Sequence, residues 1–161
     1  MDLATIFNIF PPEIATLLIA MLPVAELRGS IPIALTIYDL SIPVAYILSV
    51  VGNIIPAFFI LWLLGPLSGY LIERFSWANK FFDWLFDRTK HKFSGKYEKW
   101  GMFALTLFVA IPLPVTGVWT GSVAAFIFGI PKKTSLALIT LGALIAGVIV
   151  TSLTLGIITI F

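Results

Sequence analysis

The feature that most constrains this chain is the length of its stretches without a charged side chain. Residues 40–72, 101–131 and 134–161 contain no Asp, Glu, Lys or Arg. A helix needs about 20 apolar residues to cross a hydrocarbon core about 30 Å thick, so each stretch is long enough to cross. Of the 161 residues, 60% are hydrophobic and 11% are charged, whereas roughly a quarter are charged in soluble domains. We therefore predict a single all-α integral membrane domain over residues 1–161.

Other classes of protein are excluded by what the sequence lacks. It has no cysteine, which excludes a disulfide-stapled secreted domain, and Met1-Asp2-Leu3 lacks the basic residues of a cleaved signal peptide. It contains no phosphate-binding glycine loop, nucleophile elbow or zinc-type histidine pair. The single histidine, His91, has no second ligand nearby. We expect no enzyme activity, no cofactor, no metal and no nucleic-acid partner.

The first apolar region, residues 13–38, is interrupted in its middle by Glu26, Arg28 and Gly29. The uninterrupted arm before Glu26 has 12 residues, which is about 18 Å at 1.5 Å per residue and too short to cross. We predict a re-entrant helical hairpin, which enters the bilayer and returns on the same face.

The region 101–131 is interrupted by Pro112 and Pro114. Two prolines in three residues remove backbone donors and force the preceding residues out of helical geometry. The arm before them reaches only about 15 Å, so this region is predicted as a second re-entrant hairpin.

Each hairpin is followed by an apolar run that we predict to cross completely, at 42–64 and 134–160. Residues 65–100 form a connector, and residues 73–99 within it carry seven basic and four acidic side chains. Its apolar residues fall on one helical face, which favours an amphipathic helix in the headgroup region. A solvated loop with incidental aromatics is the alternative. The apolar residues of that face are Phe75, Ala78, Phe82, Leu85 and Phe86.

The basic residues predict the topology in the cell membrane. If both hairpins re-enter, the connector and Lys132-Lys133 share one side, with nine of the ten basic residues. If both regions cross, the basic residues divide seven against two. The positive-inside rule favours the re-entrant arrangement, because it puts more of the basic residues on one side. We therefore predict a multi-pass protein with a cytoplasmic connector and both termini outside.

This topology makes the two halves, 1–64 and 101–161, inverted repeats. The connector starts the second half from the opposite face, so the two hairpin tips can meet near the midplane. Leu22-Pro23-Val24 before Gly29-Ser30 resembles Leu113-Pro114-Val115 before Gly121-Ser122. Secondary transporters are commonly built from inverted repeats with broken helices, with the site at the repeat interface.

Glu26 and Arg28 are the ionisable residues predicted deep in the bilayer, where such residues are functional candidates. Arg28 can bind a phosphate with its guanidinium fork, and Glu26, removed from water, could exchange a proton at physiological pH. Half-helix N-termini at Gly29–Ile33 and Gly117–Gly121 would add backbone donors. The alternative is a structural ion pair that caps the broken helix.

The other candidate site residues lie at the second tip and in the first span. Thr116 and Thr120 could bind a substrate oxygen or bond back to their own helix, and Gly117 with Gly121 could serve helix packing instead. Asn53 could contact substrate or satisfy a hairpin carbonyl. The substrate- and proton-binding candidates are Glu26, Arg28, Gly29, Asn53, Pro112, Pro114, Thr116, Gly117, Thr120 and Gly121.

Residues 26–32 (ELRGSIP) and 110–121 (AIPLPVTGVWTG) resemble the prokaryotic family of small multidrug export proteins, over nearly the whole chain. That family looks like a distant branch of the DedA superfamily, whose members have paired re-entrant hairpins. Several DedA-type proteins are implicated in moving polyprenyl-phosphate lipids across membranes, and eukaryotic relatives in scrambling phospholipids. DedA proteins carry arginines near the second hairpin, whereas residues 101–131 contain none.

The resemblance implies a lipid or lipid-phosphate transporter. We predict a proton-coupled flippase for an anionic lipid such as polyprenyl phosphate, with Arg28 on the headgroup and Glu26 exchanging protons. A cation or drug–proton antiporter and a membrane scaffold without transport are the alternatives. The expected partners are membrane lipids and protons. A homodimer is plausible, with the small residues of the Gly142–Gly147 face as one candidate interface.

Overall fold

The computed structural model describes residue 7 and residues 9–74, 96–113 and 116–160. All regular secondary structure in these residues is helical, so the prediction of an all-α protein is confirmed for them. The predicted amphipathic part of the connector, residues 75–95, lies outside the described residues. The helices of the described residues are α1 (Pro12–Met21), α2 (Glu26–Thr36), α3 (Ile42–Arg74), α4 (Lys96–Ala110), α5 (Val118–Ile127) and α6 (Lys132–Ile160).

Two of these helices, α3 and α6, are long and apolar enough to cross a membrane. Only 39% and 33% of their most apolar windows are buried, whereas the core helix of a soluble protein would be mostly buried. Large apolar side chains such as Ile47, Leu63 and Val148 point outward, as on a surface that faces lipid. The helix α3 continues ten residues past position 64.

The other helices are short, and the sequence explains where they end. The helix α1 begins with Pro12, and its lack of an N–H costs nothing there because the first N–H groups of a helix have no partner within the helix. The helix ends before Pro23. Ile111-Pro112 directly follows α4, and Gly117, with a φ of 143°, precedes α5. Helices of 10 or 11 residues, such as α1, α2 and α5, are about 15 Å long and cannot cross a bilayer.

The long helices pack antiparallel against each other. The Tyr46 hydroxyl near the start of α3 donates a hydrogen bond to the Leu144 carbonyl of α6 over 2.9 Å. At the other end, a Cβ on Gly65 would lie 3.7 Å from the Lys132 Nζ. The start of α6 therefore lies beside the second half of α3.

The Gly142–Gly147 face, one candidate for a dimer interface, packs against other helices of the same chain. A Cβ on Gly142 would come within 2.7 Å of the Val109 Cβ in α4, and one on Gly147 within 2.7 Å of the Tyr46 ring in α3. Both glycines are buried. They permit close packing of α6 on its neighbours.

The two halves of the chain pack in corresponding ways. In each half the three helices contact one another: α1 with α2 and α3, and α4 with α5 and α6. Between the halves, α3 contacts α5, and α2 contacts α6. The second short helix of each half thus packs against the long helix of the other half, and the turns after α1 and α4 meet at the centre.

Candidate functional site

The candidate site forms where the turn after α1 meets the turn after α4. Arg28 lies near the start of α2 and reaches the turn after α4. It donates hydrogen bonds to the carbonyl oxygens of Leu113 and Thr116, the latter over 2.9 Å. An arginine fork suits such a pair of acceptors, since its donors lie in one plane. Arg28 therefore joins the two halves of the chain.

Glu26 is the first residue of α2, and its carboxylate lies at the N-terminus of α5. Its Oε1 accepts a hydrogen bond from the backbone N–H of Trp119 over 3.4 Å, and the backbone amide of Val118 also faces the carboxylate. The residue is only 5% exposed. A helix N-terminus has unpaired N–H groups and a positive dipole end, both of which favour an anion.

Glu26 and Arg28 also form an ion pair, with 3.5 Å between Oε2 and Nη2. In a regular helix, residues two positions apart do not face each other. Here Glu26 has a φ of 45°, in the left-handed region, so the chain turns sharply at the start of α2. The positive φ is uncommon for a residue other than glycine, and such backbone strain is often found at functional sites.

Gly117 makes room for this arrangement. A Cβ at position 117 would lie 2.0 Å from the Oε2 atom of Glu26, which no side-chain-bearing residue could accommodate without displacing the carboxylate. The φ of 143° at Gly117 is also in a region that favours glycine. Gly117 therefore serves the close approach of Glu26 to the N-terminus of α5.

The polar side chains of the second tip are mostly engaged in hydrogen bonds to backbone carbonyls. The indole Nε1 of Trp119 donates to the carbonyl of Met21 over 3.2 Å. The Thr116 hydroxyl bonds with the carbonyls of Ile111 and Leu113, over 2.7 and 2.8 Å. Thr120 bonds back to the Gly117 carbonyl over 3.4 Å. Both threonine hydroxyls thus make the local backbone bonds that were the alternative to substrate binding.

A small cavity of about 10 Å³ lies between the tips and the long helices, which is about the minimum volume that holds one water molecule. Asn53 of α3 lines it together with Glu26, and its Oδ1 is buried without a hydrogen-bond partner. The conformation is therefore closed around the site, with no space for a headgroup. The residues that line the cavity are Glu26, Leu27, Arg28, Asn53, Val109, Pro112, Thr116, Gly117, Val118 and Ala146.

The structure brings six of the ten predicted site residues to this cavity, and three others lie elsewhere. Thr120 faces its own helix, and Gly121 packs against α4, where a Cβ would lie 2.6 Å from Val109. The helix α2 begins at Glu26 rather than at the predicted Gly29, whose N–H donates to the Ala25 carbonyl over 2.8 Å. Pro114 lies outside the described residues.

Some contributors to the site were missed because they act through the backbone. The carbonyl of Leu113 and the amide of Val118 carry no signal in their side chains, and Ala146 comes from a helix predicted only to cross. Trp119 also contributes through its backbone, and the sequence could not show that its N–H is bound by the Glu26 carboxylate. The only hint in the sequence is the prolines of the second tip, because a proline leaves nearby backbone carbonyls without a helical partner.

Comparison with known proteins assigns the chain to a family. No curated protein and no solved structure matches the chain significantly. A family model described as "Putative small multi-drug export protein" matches residues 26–149, a range that begins at Glu26 and includes α2, the turn after α4 and most of α6. The match covers more than half of the chain, and the chain belongs to this family of small multi-drug export proteins.

Proposed function

We propose that this protein is a proton-coupled transporter that moves an anionic lipid across the membrane. The observation that carries the proposal is that the N-terminus of α5, with Arg28 beside it, already binds one anion, the Glu26 carboxylate. A phosphate headgroup presents the same kind of acceptor oxygens to the same donors. Polyprenyl phosphate, which the likeness to DedA proteins suggests, is the first substrate to test.

Competition between Glu26 and the substrate would couple transport to protons. While Glu26 is ionised, its own carboxylate occupies the α5 N-terminus and balances Arg28. Protonation removes that charge, so the amides of Val118 and Trp119 and the guanidinium of Arg28 become available to a substrate anion. The proton and the anion would then move together, and return of Glu26 to the site would release the substrate.

The corresponding packing of the two halves supports an inverted-repeat architecture. Leu22 and Leu113 each follow the first short helix of their half, and Gly29-Ser30 and Gly121-Ser122 each lie in the second short helix. The short helices are too short to cross a bilayer, which supports re-entrant hairpins. The tips would then meet near the midplane, the usual depth of a transporter site.

The ends of the long helices support the predicted orientation. Arg74 ends α3, and Lys132 and Lys133 begin the antiparallel α6. These basic residues lie at the same end of the helix pair, which the positive-inside rule assigns to the cytoplasm. The start of α3 and the end of α6 would face outward.

A second candidate is a cation or drug–proton antiporter, which the description of the family favours. The buried Glu26 would alternate between a proton and a cationic substrate. In this mechanism Arg28 repels the substrate and serves only to join the tips. The two candidates therefore differ in the role they give to Arg28.

The test is transport by the purified protein in liposomes, with a fluorescent polyprenyl phosphate, a fluorescent zwitterionic lipid and a cationic dye as alternative substrates. A proton gradient of either direction is imposed. Wild type is compared with Arg28→Ala and Glu26→Gln. Lys133→Gln and Glu13→Gln are matched controls, because both positions are exposed and far along the chain from the tips.

We expect proton-dependent movement of the anionic lipid that falls at least ten-fold in Arg28→Ala and loses its gradient dependence in Glu26→Gln. Both control variants should behave as wild type. Dye export that survives Arg28→Ala would overturn the lipid proposal in favour of the antiporter. Absence of any lipid, dye or proton flux, with Glu26→Gln unchanged, would leave the scaffold alternative.

A further inference from the structure

Within the described residues, four buried side-chain oxygen atoms have no hydrogen-bond partner. They are Ser30 Oγ, Ser49 Oγ, Asn53 Oδ1 and Thr151 Oγ1. Buried polar atoms in proteins are nearly always hydrogen-bonded, and those that lack a protein partner commonly bind ordered water. Four such atoms in three neighbouring helices, α2, α3 and α6, therefore point to water inside the protein.

The other hydroxyl groups of the helices show that this lack of partners is specific. Thr16, Ser122 and Thr154 each donate to the carbonyl four residues earlier, over 2.8, 2.7 and 2.8 Å. Ser30 and Ser49 lie within helices where the same bond is available, but they do not make it. Ser122 is the closest comparison, since Gly121-Ser122 in α5 corresponds to Gly29-Ser30 in α2.

The unpartnered atoms form a track that begins at the candidate site. Asn53 lines the cavity together with Glu26. Ser30 lies one turn after Glu26 in α2, and Ser49 lies one turn before Asn53 in α3, so each shares the helix face of its neighbour at the cavity. The helices α2 and α3 pack against each other.

The track runs toward one end of the helix pair. Ser30 lies closer than Glu26 to the last residue of α2, Thr36. Ser49 lies closer than Asn53 to the first residue of α3, Ile42, and a short loop joins Thr36 to Ile42. Thr151 of α6 lies at that same end, where it lines a groove with Ile42 and Tyr46. All four atoms thus lie between the level of Glu26 and the membrane face at which α3 begins.

We propose that Ser30, Ser49 and Asn53 hold a file of water molecules that connects Glu26 with the membrane face where α3 begins. A proton from bulk water on that face passes along the waters and ends on the Glu26 carboxylate. This inference rests on the proposed function in making Glu26 the proton-exchanging group, and adds the side from which the proton arrives. The predicted orientation makes that side external.

The charges around Glu26 explain why the file ends there. Among the described residues, Arg28 is the charged side chain that contacts Glu26. Its guanidinium group lies toward the second tip, where it binds the Thr116 carbonyl. The helices α3, α5 and α6 present Asn53, the amides of Val118 and Trp119, and Ala146. A fixed guanidinium beyond Glu26 repels a hydrated proton, so access is from one side only.

The file can be tested by the access of silver ions to single cysteines, because the chain has no cysteine of its own. Ser30→Cys and Ser49→Cys are placed in sealed vesicles, Ag⁺ is added to one side, and the unblocked thiol is then labelled after denaturation. Ser41→Cys and Lys133→Cys are exposed markers for the two ends of α3 and α6. Ser122→Cys and Ala57→Cys are buried controls.

We expect Ag⁺ to block positions 30 and 49 at least ten-fold faster from the side that blocks Ser41→Cys, while positions 122 and 57 remain unreacted. Reaction of positions 30 and 49 no faster than position 57, or preferentially from the Lys133→Cys side, would overturn the proposal. If Ser30→Cys does not yield a monodisperse protein, Ser49→Cys decides alone. Access does not require transport, so a protein that transports none of the substrates tested can still confirm or overturn the file.

Discussion

The carboxylate of Glu26 accepts a hydrogen bond from the backbone N–H of Trp119 over 3.4 Å, so an acid from the first half of the chain caps a helix in the second half. Arg28 makes the reciprocal connection, from the same helix to two carbonyls of the second turn. The first half of the chain therefore contributes both an anion and a cation, and the second half contributes the backbone groups that they bind.

Replacement of Gly117 by alanine should displace Glu26. The added Cβ would lie 2.0 Å from Oε2, and because this atom is the end of a flexible side chain, we expect it to move away rather than the backbone. Loss of the helix cap together with the unfavourable φ should lower the free energy of unfolding by about 1–3 kcal/mol. Denaturant unfolding of the purified protein in mixed micelles measures it.

Gly129→Ala is the matched control for this prediction. Gly129 also has a positive φ, of 65°, but nothing lies within 4 Å of its Cβ position, so alanine there adds backbone strain without a collision. It should cost about 1 kcal/mol and leave proton-dependent transport intact. Equal effects of the two variants on transport would mean that the position of Glu26 does not matter.

Arg28 should matter more for stability than Glu26. The guanidinium donates to two carbonyls, whereas the ion pair, at 3.5 Å, is long for a strong charge-assisted bond. We expect Arg28→Ala to lower the free energy of unfolding by about 3 kcal/mol and Glu26→Gln by about 1 kcal/mol. A double-mutant cycle in micelles separates the ion pair from the rest.

The coupling energy between the two substitutions should lie at the low end of the range of about 0.5–3 kcal/mol for residues in contact, because the ion pair is 3.5 Å long. A larger coupling, or a cost of Glu26→Gln equal to that of Arg28→Ala, would show that the ion pair within α2 matters for stability as much as the bonds from Arg28 to the turn after α4. Glu26 would then be structural, as the alternative interpretation of the sequence has it.

The parts of the fold and of the candidate site that depend on side-chain type and spacing could be predicted from the sequence. The charge-free stretches predict helices, and Pro112 predicts the break after α4, because length and backbone chemistry act locally. The prediction that the two tips meet also brings Glu26 and Arg28 near Thr116, whereas Asn53 lies in a predicted span and its role was left open. These features follow from side-chain types and spacing.

The rest depends on backbone groups and on packing between distant residues. The sequence does not show that Arg28 binds the carbonyls of Leu113 and Thr116, since every residue has a carbonyl. The Gly142–Gly147 face was one candidate for a dimer interface, because a small-residue pattern permits close packing without identifying the partner. Its partners are α4 and α3 of the same chain.

Gly142→Ala should therefore destabilise the isolated chain. Its Cβ would meet the Thr106 carbonyl oxygen at 2.8 Å and the Val109 Cβ at 2.7 Å, neither of which can rotate away, so α4 must shift from α6. We expect a loss of about 1–3 kcal/mol, measured by denaturant unfolding. Gly156→Ala, at a position with nothing within 4 Å, should be neutral. A change of oligomeric state without loss of stability would instead restore the dimer interface.

Asn53→Leu should separate stability from function. The side chain is 1% exposed and its Oδ1 has no partner in the protein, so a leucine of similar size removes a buried polar group that no protein group satisfies. We expect the denaturant midpoint to be unchanged or higher, while the proposed proton-dependent transport falls at least ten-fold, because the cavity beside Glu26 becomes apolar and can no longer hold the proposed water. Ala57→Leu, one turn further along α3, tests whether added bulk alone disturbs the helix. A strongly lowered midpoint for Asn53→Leu with transport retained would assign Asn53 a purely structural role, since an amide that only holds the fold must be bonded in the folded state.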